Sequence, residues 1–151
     1  MICISGVPGS GKTTICSLLV SKGMDCRSAN RVAEDLDCIS NGAVDIDKMR
    51  SRMPQVDVLE GHYAHLLGCE AVIILTARED IIRERLSARG YLNEKIETNI
   101  DSLLADTIYY ESLDLLPSGK IFRVDTSDIS PEQAANLVTQ TIRNLRINNK
   151  S

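Results

Sequence analysis

Apolar residues fall in short blocks, separated by longer stretches with helical spacing. Residues 1–5 (MICIS), 56–59 (VDVL), 69–75 (CEAVIIL) and 120–125 (KIFRVD) read as strands. The 69–75 block, β-branched and unbroken, carries the strongest strand signal. Residues 11–21 have helical spacing, with Ile15, Leu18 and Leu19 on one side. Residues 28–52 alternate short charged helical pieces with a turn at SNGAVD. Residues 80–89 form a helix stopped by Gly90, and residues 94–115 form one long helix ended by Pro117 and Gly119. Ser130 is placed to cap a last helix with Pro131 in its first turn, running to about Leu145, after which RINNKS is expected to fray. The order is β-α-(α)-β-β-α-α-β-α. The strands are apolar without clean alternation and lie between helices, which implies a parallel sheet covered on both faces.

Composition narrows the picture. The 151 residues suffice for one domain with its own core. A net charge of −4, no Trp and a single Phe give no case for DNA binding or for a base-stacking platform. No apolar run approaches the roughly 20 residues that cross a bilayer, and the N-terminus has no basic leader segment, so a cytoplasmic protein without a membrane partner is expected. The cysteines, at 3, 16, 26, 38 and 69, are odd in number and form no CxxC pair. Free thiols in a reducing cytosol are expected, and no zinc site.

The chemistry starts where the first strand ends. Residues 6–13, GVPGSGKT, match GxxxxGK[ST] without a gap, between a strand and a helix. Glycines there let successive N–H groups face inward, at the positive end of a helix, where phosphate oxygens bind. Lys12 is placed to reach the outer phosphates, and the Thr13 hydroxyl to complete the coordination of Mg²⁺. The chain lacks the NKxD loop that guanine recognition uses, and it is too short for a helicase or ring ATPase.

Two further signals lie downstream. In VDVLEGH, Glu60 and His62 follow a short strand. Ligands of an open parallel sheet sit at the carboxyl ends of its strands. Glu60 is therefore the candidate to hold Mg²⁺ through water, with Asp57 the rival acid, and His62 the candidate to position a water or contact phosphate. In REDIIRERLSARGY, Arg85 and Arg89 lie four apart on one helix face, suited to phosphate and a nucleotide base. About eight residues after Gly90 leave room for a mobile lid.

With these residues placed, the chain resembles the broken-hairpin adenylate kinases, the subfamily of the coilin-interacting nuclear ATPase and its archaeal relatives. GVPGSGKTT resembles the subfamily's P-loop, EGH its modified Walker B sequence, and RLSARGY with EKIETNI its lid entry and following helix. Glu60 stands where the subfamily has aspartate, and the segment before EGH is shorter than in eukaryotic members. The resemblance implies a three-layer P-loop NTPase fold with a nucleoside-monophosphate (NMP) arm at about 30–53 and a lid at about 89–99. It implies ATP binding by Gly9, Ser10, Gly11, Lys12, Thr13 and Thr14, Arg89 at the lid, Arg85 near adenine, and an acceptor site at Asn30, with Arg31 the poorer candidate. It further implies Mg²⁺-dependent phosphoryl transfer from ATP to AMP, ATPase activity, and a part in small ribosomal subunit maturation through a ribosomal protein. Lys12, Arg89 and His62 are the expected catalytic residues. A kinase of another small molecule, or an ATP-hydrolysing ribosome assembly factor, are the rival readings.

Overall fold

The structure, a computed structural model, describes residues 1–148. In chain order its elements are β1 (Ile2–Ser5), α1 (Lys12–Ser21), β2 (Cys26–Ser28), α2 (Ala29–Asp35), β3 (Ile39–Ser40), β4 (Ala43–Val44), α3 (Ile46–Arg52), β5 (Val58–Glu60), β6 (Ala71–Thr76), α4 (Glu79–Ala88), α5 (Asn93–Leu104), α6 (Thr107–Leu113), β7 (Ile121–Asp125) and α7 (Pro131–Asn148). Short 3-10 turns occupy Ala64–Leu66 and Ser118–Lys120.

The apolar run at the N-terminus becomes the central strand of a five-stranded, fully parallel sheet in the order β2-β5-β1-β6-β7. Adjacent residues of each inner strand feed opposite cores, which is why the strands read as unbroken apolar runs. Ile2, Ile4, Ile73 and Leu75 pack under α1 and α7, against Ile15, Leu19, Val138 and Ile142. Cys3, Leu59, Val72 and Ile74 pack on the other face, against Met49, Ile82, Leu86 and Ile100 of α3, α4 and α5. The result is the three-layer α/β fold of P-loop proteins. No helix among the described residues is long and apolar enough to cross a membrane.

Start and stop signals act where the sequence places them. At α7, Gln133 N–H donates to the Ser130 hydroxyl and Ser130 N–H donates back to the Gln133 side chain, 3.1 and 2.9 Å, a reciprocal capping box. At the end of α4, Tyr91 N–H reaches back to Leu86 C=O at 3.1 Å over Gly90.

Other elements differ from the expectation. Residues 94–115 are two helices, broken at Asp106, whose left-handed backbone (φ 56°) is anchored by a hydrogen bond from Arg123 to its carboxylate at 3.0 Å. α5 begins at Asn93, so four residues rather than eight separate it from α4, and residues 93–99 are helical. The edge strand β2 and the hairpin β3–β4 are too short to leave a periodic trace. The final helix continues to Asn148, and the rest of the segment expected to fray lies outside the described residues.

The expectation of five free thiols is overturned. Disulfides join Cys3 to Cys69 and Cys16 to Cys26, leaving the buried Cys38 free. Parallel pairing brings β1 and the approach to β6 side by side, and α1 packs back along β2, so residues 66 and 10 apart in sequence become neighbours. Protein unfolded in denaturant without reductant is expected to titrate one thiol with a thiol reagent. After reduction it is expected to titrate all five; five before reduction would exclude both bonds.

Candidate active site

The loop after β1 is forced against its surroundings. A Cβ on Gly6 would lie 2.6 Å from both the Leu75 carbonyl oxygen and Ser10 Oγ, so only glycine fits there. Gly11 opens α1 at φ 102°, and no side chain caps that helix. Its first-turn amides are thus left for a ligand. The Ser10 hydroxyl is fully buried and has no hydrogen-bond partner among the described residues. These features fit phosphate oxygens.

Lys12 is the first residue of α1. Its ammonium donates to the carbonyls of Gly6 and Val7, at 2.8 and 3.0 Å. Burial pulls its pKa down to about 8; the charge of Glu60 opposes that and the charge of Arg89 adds to it. Glu60 ends β5, in register with Ile4 of β1 and Ser28 of β2, and is 6% exposed. Burial raises its pKa, while Lys12 and a hydrogen bond with Ser28 act against the rise. Thr13, Ser28 and Glu60 line one cleft of about 280 Å³. A hydroxyl and one carboxylate beside a phosphate cradle suit Mg²⁺, which retains several waters and takes few protein ligands. Asp57, by contrast, precedes β5 at the opposite end of the strand, exposed and 3.8 Å from Arg146.

A second pocket, of about 180 Å³, runs from the cradle to the start of α7. Gly9, Ser10, Gly11 and Thr14 form one wall, Arg85 and Arg89 another, and Thr126 and Ile129 the third. Arg85 is already engaged, donating to Gly9 C=O at 2.9 Å and to the Thr126 hydroxyl and carbonyl at 3.3 Å. It ties α4 to the cradle while presenting an edge to the pocket. Arg89 has no ion-pair partner among the described residues. The salt-bridged arginine of this helix is Arg83, held by Glu79 and Glu97.

The third cleft, about 550 Å³, is within the size range of small-molecule sites. Asn30, Glu34, Val44, Ile46, His62 and Tyr63 line it. Asn30 accepts a hydrogen bond from Tyr63 at 2.8 Å through its amide oxygen, which leaves the amide nitrogen to donate to a ligand. Arg31 is exposed and does not line it. The pKa of His62 is lowered, first by desolvation and then by Lys12, His65 and Lys95, so the ring is neutral at pH 7. Thr126 and Glu34 were not singled out from the sequence. The position of Thr126, just past a strand's carboxyl end, is the signal that points to it.

Residues 2–106 match a family described as an AAA domain. A protein of Thermoplasma acidophilum named "Putative adenylate kinase" is 47% identical over 133 residues, 86% of this chain and 90% of that one. A protein of the same name from Thermoplasma volcanium is 38% identical over 152 residues, 98% of this chain and 97% of that one. Among solved structures, a shikimate kinase from Acinetobacter baumannii in complex with shikimate superposes with a TM-score of 0.62 at 19% identity, covering 95% of this chain and 92% of that one.

Two outcomes follow from the charges. Phosphate beside Lys12 restores its proton. Binding of metal-free ATP at pH 8 should therefore take up roughly half a proton, read by calorimetry in buffers of different ionisation enthalpy. Lys12→Ala should abolish the uptake. Glu60→Gln should weaken Mg²⁺–ATP binding on the order of tenfold and leave metal-free ATP within twofold. Asp57→Asn should change neither; the reverse pattern would make Asp57 the metal acid.

Proposed function

The chain belongs to the AAA-domain family and, with the two archaeal relatives, to a family of nucleotide kinases, and from that premise we propose that it transfers the γ-phosphoryl group of ATP to a nucleoside monophosphate, AMP above all. The observation that carries this is one half-buried lysine whose charge reaches residues of separate clefts. The charge of Lys12 is felt by Glu60 in the Thr13 cleft and by His62 in the Asn30 cleft, and meets that of Arg89 in the Arg85 pocket.

In this reading ATP lies with its phosphates in the cradle of Gly9, Ser10, Gly11, Thr13 and Thr14. Its base lies between Arg85 and Ile129. The acceptor occupies the cleft of Asn30 and His62. Mg²⁺, when bound at Thr13 and Glu60, supplies neutralisation of phosphate charge. Lys12 and Arg89 hold the transferred group in line and balance the charge that develops on its oxygens. No residue needs to act as a strong base, because the acceptor phosphate is already anionic near neutral pH.

ATP hydrolysis is the second activity proposed, and His62 is what favours it. A neutral imidazole at the edge of the acceptor cleft can orient a water toward the phosphate when no acceptor is present. The part in small ribosomal subunit maturation and the ribosomal-protein partner rest on the resemblance, and the cytoplasmic location on the sequence composition.

One assay tests these readings. ADP formation from Mg²⁺–ATP is measured with AMP, with each other nucleoside monophosphate, and with no acceptor. Transfer to AMP is expected to exceed hydrolysis and transfer to the other acceptors. Lys12→Ala should lose on the order of 10²-fold or more. His62→Gly should lower hydrolysis several-fold more than transfer. Hydrolysis alone, unaffected by AMP, would replace the kinase reading with that of an ATP-driven factor.

A further inference from the structure

A buried polar chain lies behind the site, and phosphoryl transfer does not account for it. Ser5 ends β1, one residue before the cradle. His65 lies in the 3-10 turn that follows Glu60, Gly61 and His62. The two are 0% and 2% exposed. Ser5 Oγ stands 2.9 Å from His65 Nδ1 and 3.0 Å from the Gly61 carbonyl oxygen. His65 Nε2 stands 3.0 Å from Oε1 of Glu111, which reaches in from α6 and is itself half-exposed. The Gly61 N–H is held by the Ile4 carbonyl at 3.0 Å. This chain therefore joins the base of the cradle to the loop that carries Glu60 and His62.

Proton counting shows that it has two states. A serine hydroxyl has one proton, and this one faces two acceptors. A neutral ring protonated on Nε2 donates to Glu111 and accepts from Ser5 on Nδ1, leaving the Gly61 carbonyl without the serine proton. A doubly protonated ring donates from both nitrogens, so the Ser5 proton turns to Gly61. The charge on the ring thus decides whether Ser5 grips the Glu60–His62 loop.

We propose that His65 is a positioning residue, which forms with Ser5 and Glu111 a two-state joint that sets how the Glu60–His62 loop is held against the phosphate cradle. Desolvation lowers the His65 pKa, with Glu111 opposing, so the neutral state holds at pH 7.5. The titratable groups around the ring are Glu111 from α6 and, on its own loop, His62. Arg50 of α3 is engaged by the Leu66 carbonyl and Asp47, and β1 brings only the Ser5 hydroxyl. The effect on turnover rests on the phosphoryl-transfer reading; the hydrogen bonds do not.

Two measurements test the joint. Nitrogen-15 NMR of the histidine rings should find His65 neutral and protonated on Nε2 at pH 7.5; an Nδ1-protonated or doubly protonated ring at that pH overturns it. In kinetics, glutamine carries an acceptor and a donor about as far apart as the two ring nitrogens, but it cannot take up a proton. His65→Gln should keep kcat within threefold at pH 7.5. His65→Phe should lose at least tenfold in kcat, with KM for ATP within threefold. Ser5→Ala should lose as much, and the Ser5→Ala/His65→Phe double variant no more than either alone. Between pH 7.5 and 5.5, in a His62→Gln background that removes the titration of His62, kcat of the chain retaining His65 should change by a factor at least threefold different from that of its His65→Gln counterpart. Equal losses in the Gln and Phe variants, additive losses, or parallel pH profiles overturn the joint. Where His65→Phe fails to fold by thermal melt, a Ser5→Ala loss under twofold does so. Where the unaltered chain transfers no phosphate, the kinase reading has failed and the NMR result alone decides the joint.

Discussion

A half-buried lysine ammonium, with two carbonyl oxygens as its partners, is the constraint on which the rest of this site depends. A fall in pKa from 10.5 to about 8 corresponds to a cost of roughly 3 kcal/mol for carrying that charge in the empty protein. The cost is present in full below pH 8 and is relieved as pH rises toward 10.5. Two carbonyl dipoles and the nearby Glu60 do not remove it. Phosphate oxygens would, and the cradle can receive them because no side chain caps α1 and the Ser10 hydroxyl has no partner among the described residues.

So strained a charge needs a rigid mount, and the fold supplies it from four directions. Gly6 sits hard against the Leu75 carbonyl of β6, so the loop cannot sink further into the sheet. Arg85 holds the Gly9 carbonyl from α4. Thr126 binds the Ser10 carbonyl at 3.1 Å and the Thr76 carbonyl at 3.2 Å, tying the cradle to β6 and β7. Ser5 fixes the strand end from below. Each contact joins residues 41 or more apart in sequence, so the loop depends on the whole sheet rather than on its own turn chemistry.

That dependence explains what could be read from the chain. The cradle was legible because its residues are contiguous and their flanks announce strand and helix. So was the pairing of Arg85 with Arg89, since helical spacing puts them on one face. The choice between Glu60 and Asp57 needed strand register. Val58 pairs with Ile2 and Cys26, which puts Asp57 at the far end of the sheet and Glu60 beside the cradle. The break at Asp106 was illegible because neither glycine nor proline marks it; Arg123, 17 residues on, holds the turn. The disulfides and the Ser5–His65–Glu111 chain were invisible for the same reason. Their members have no local pattern and meet only once α1 is packed on β2 and β1 lies beside β6 and α6.

In the proposed transfer, the distribution of charge between the two clefts would orient both substrates. The pocket toward α7 carries two arginines in its wall. The cleft beside β3 and β4 is lined by Asn30, Glu34, His62, Tyr63 and apolar side chains, with no lysine or arginine. In the proposed transfer, a dianionic phosphate entering that cleft would find neutral or negative walls, while its base would meet the apolar surface of Val44 and Ile46 and the Glu34 carboxylate. The attraction would come from beyond the cleft, from the charge of Lys12 that His62 already feels. An acceptor nucleotide would then settle phosphate inward, and the charge that makes Lys12 costly in the empty protein would draw that phosphate toward the one in the cradle.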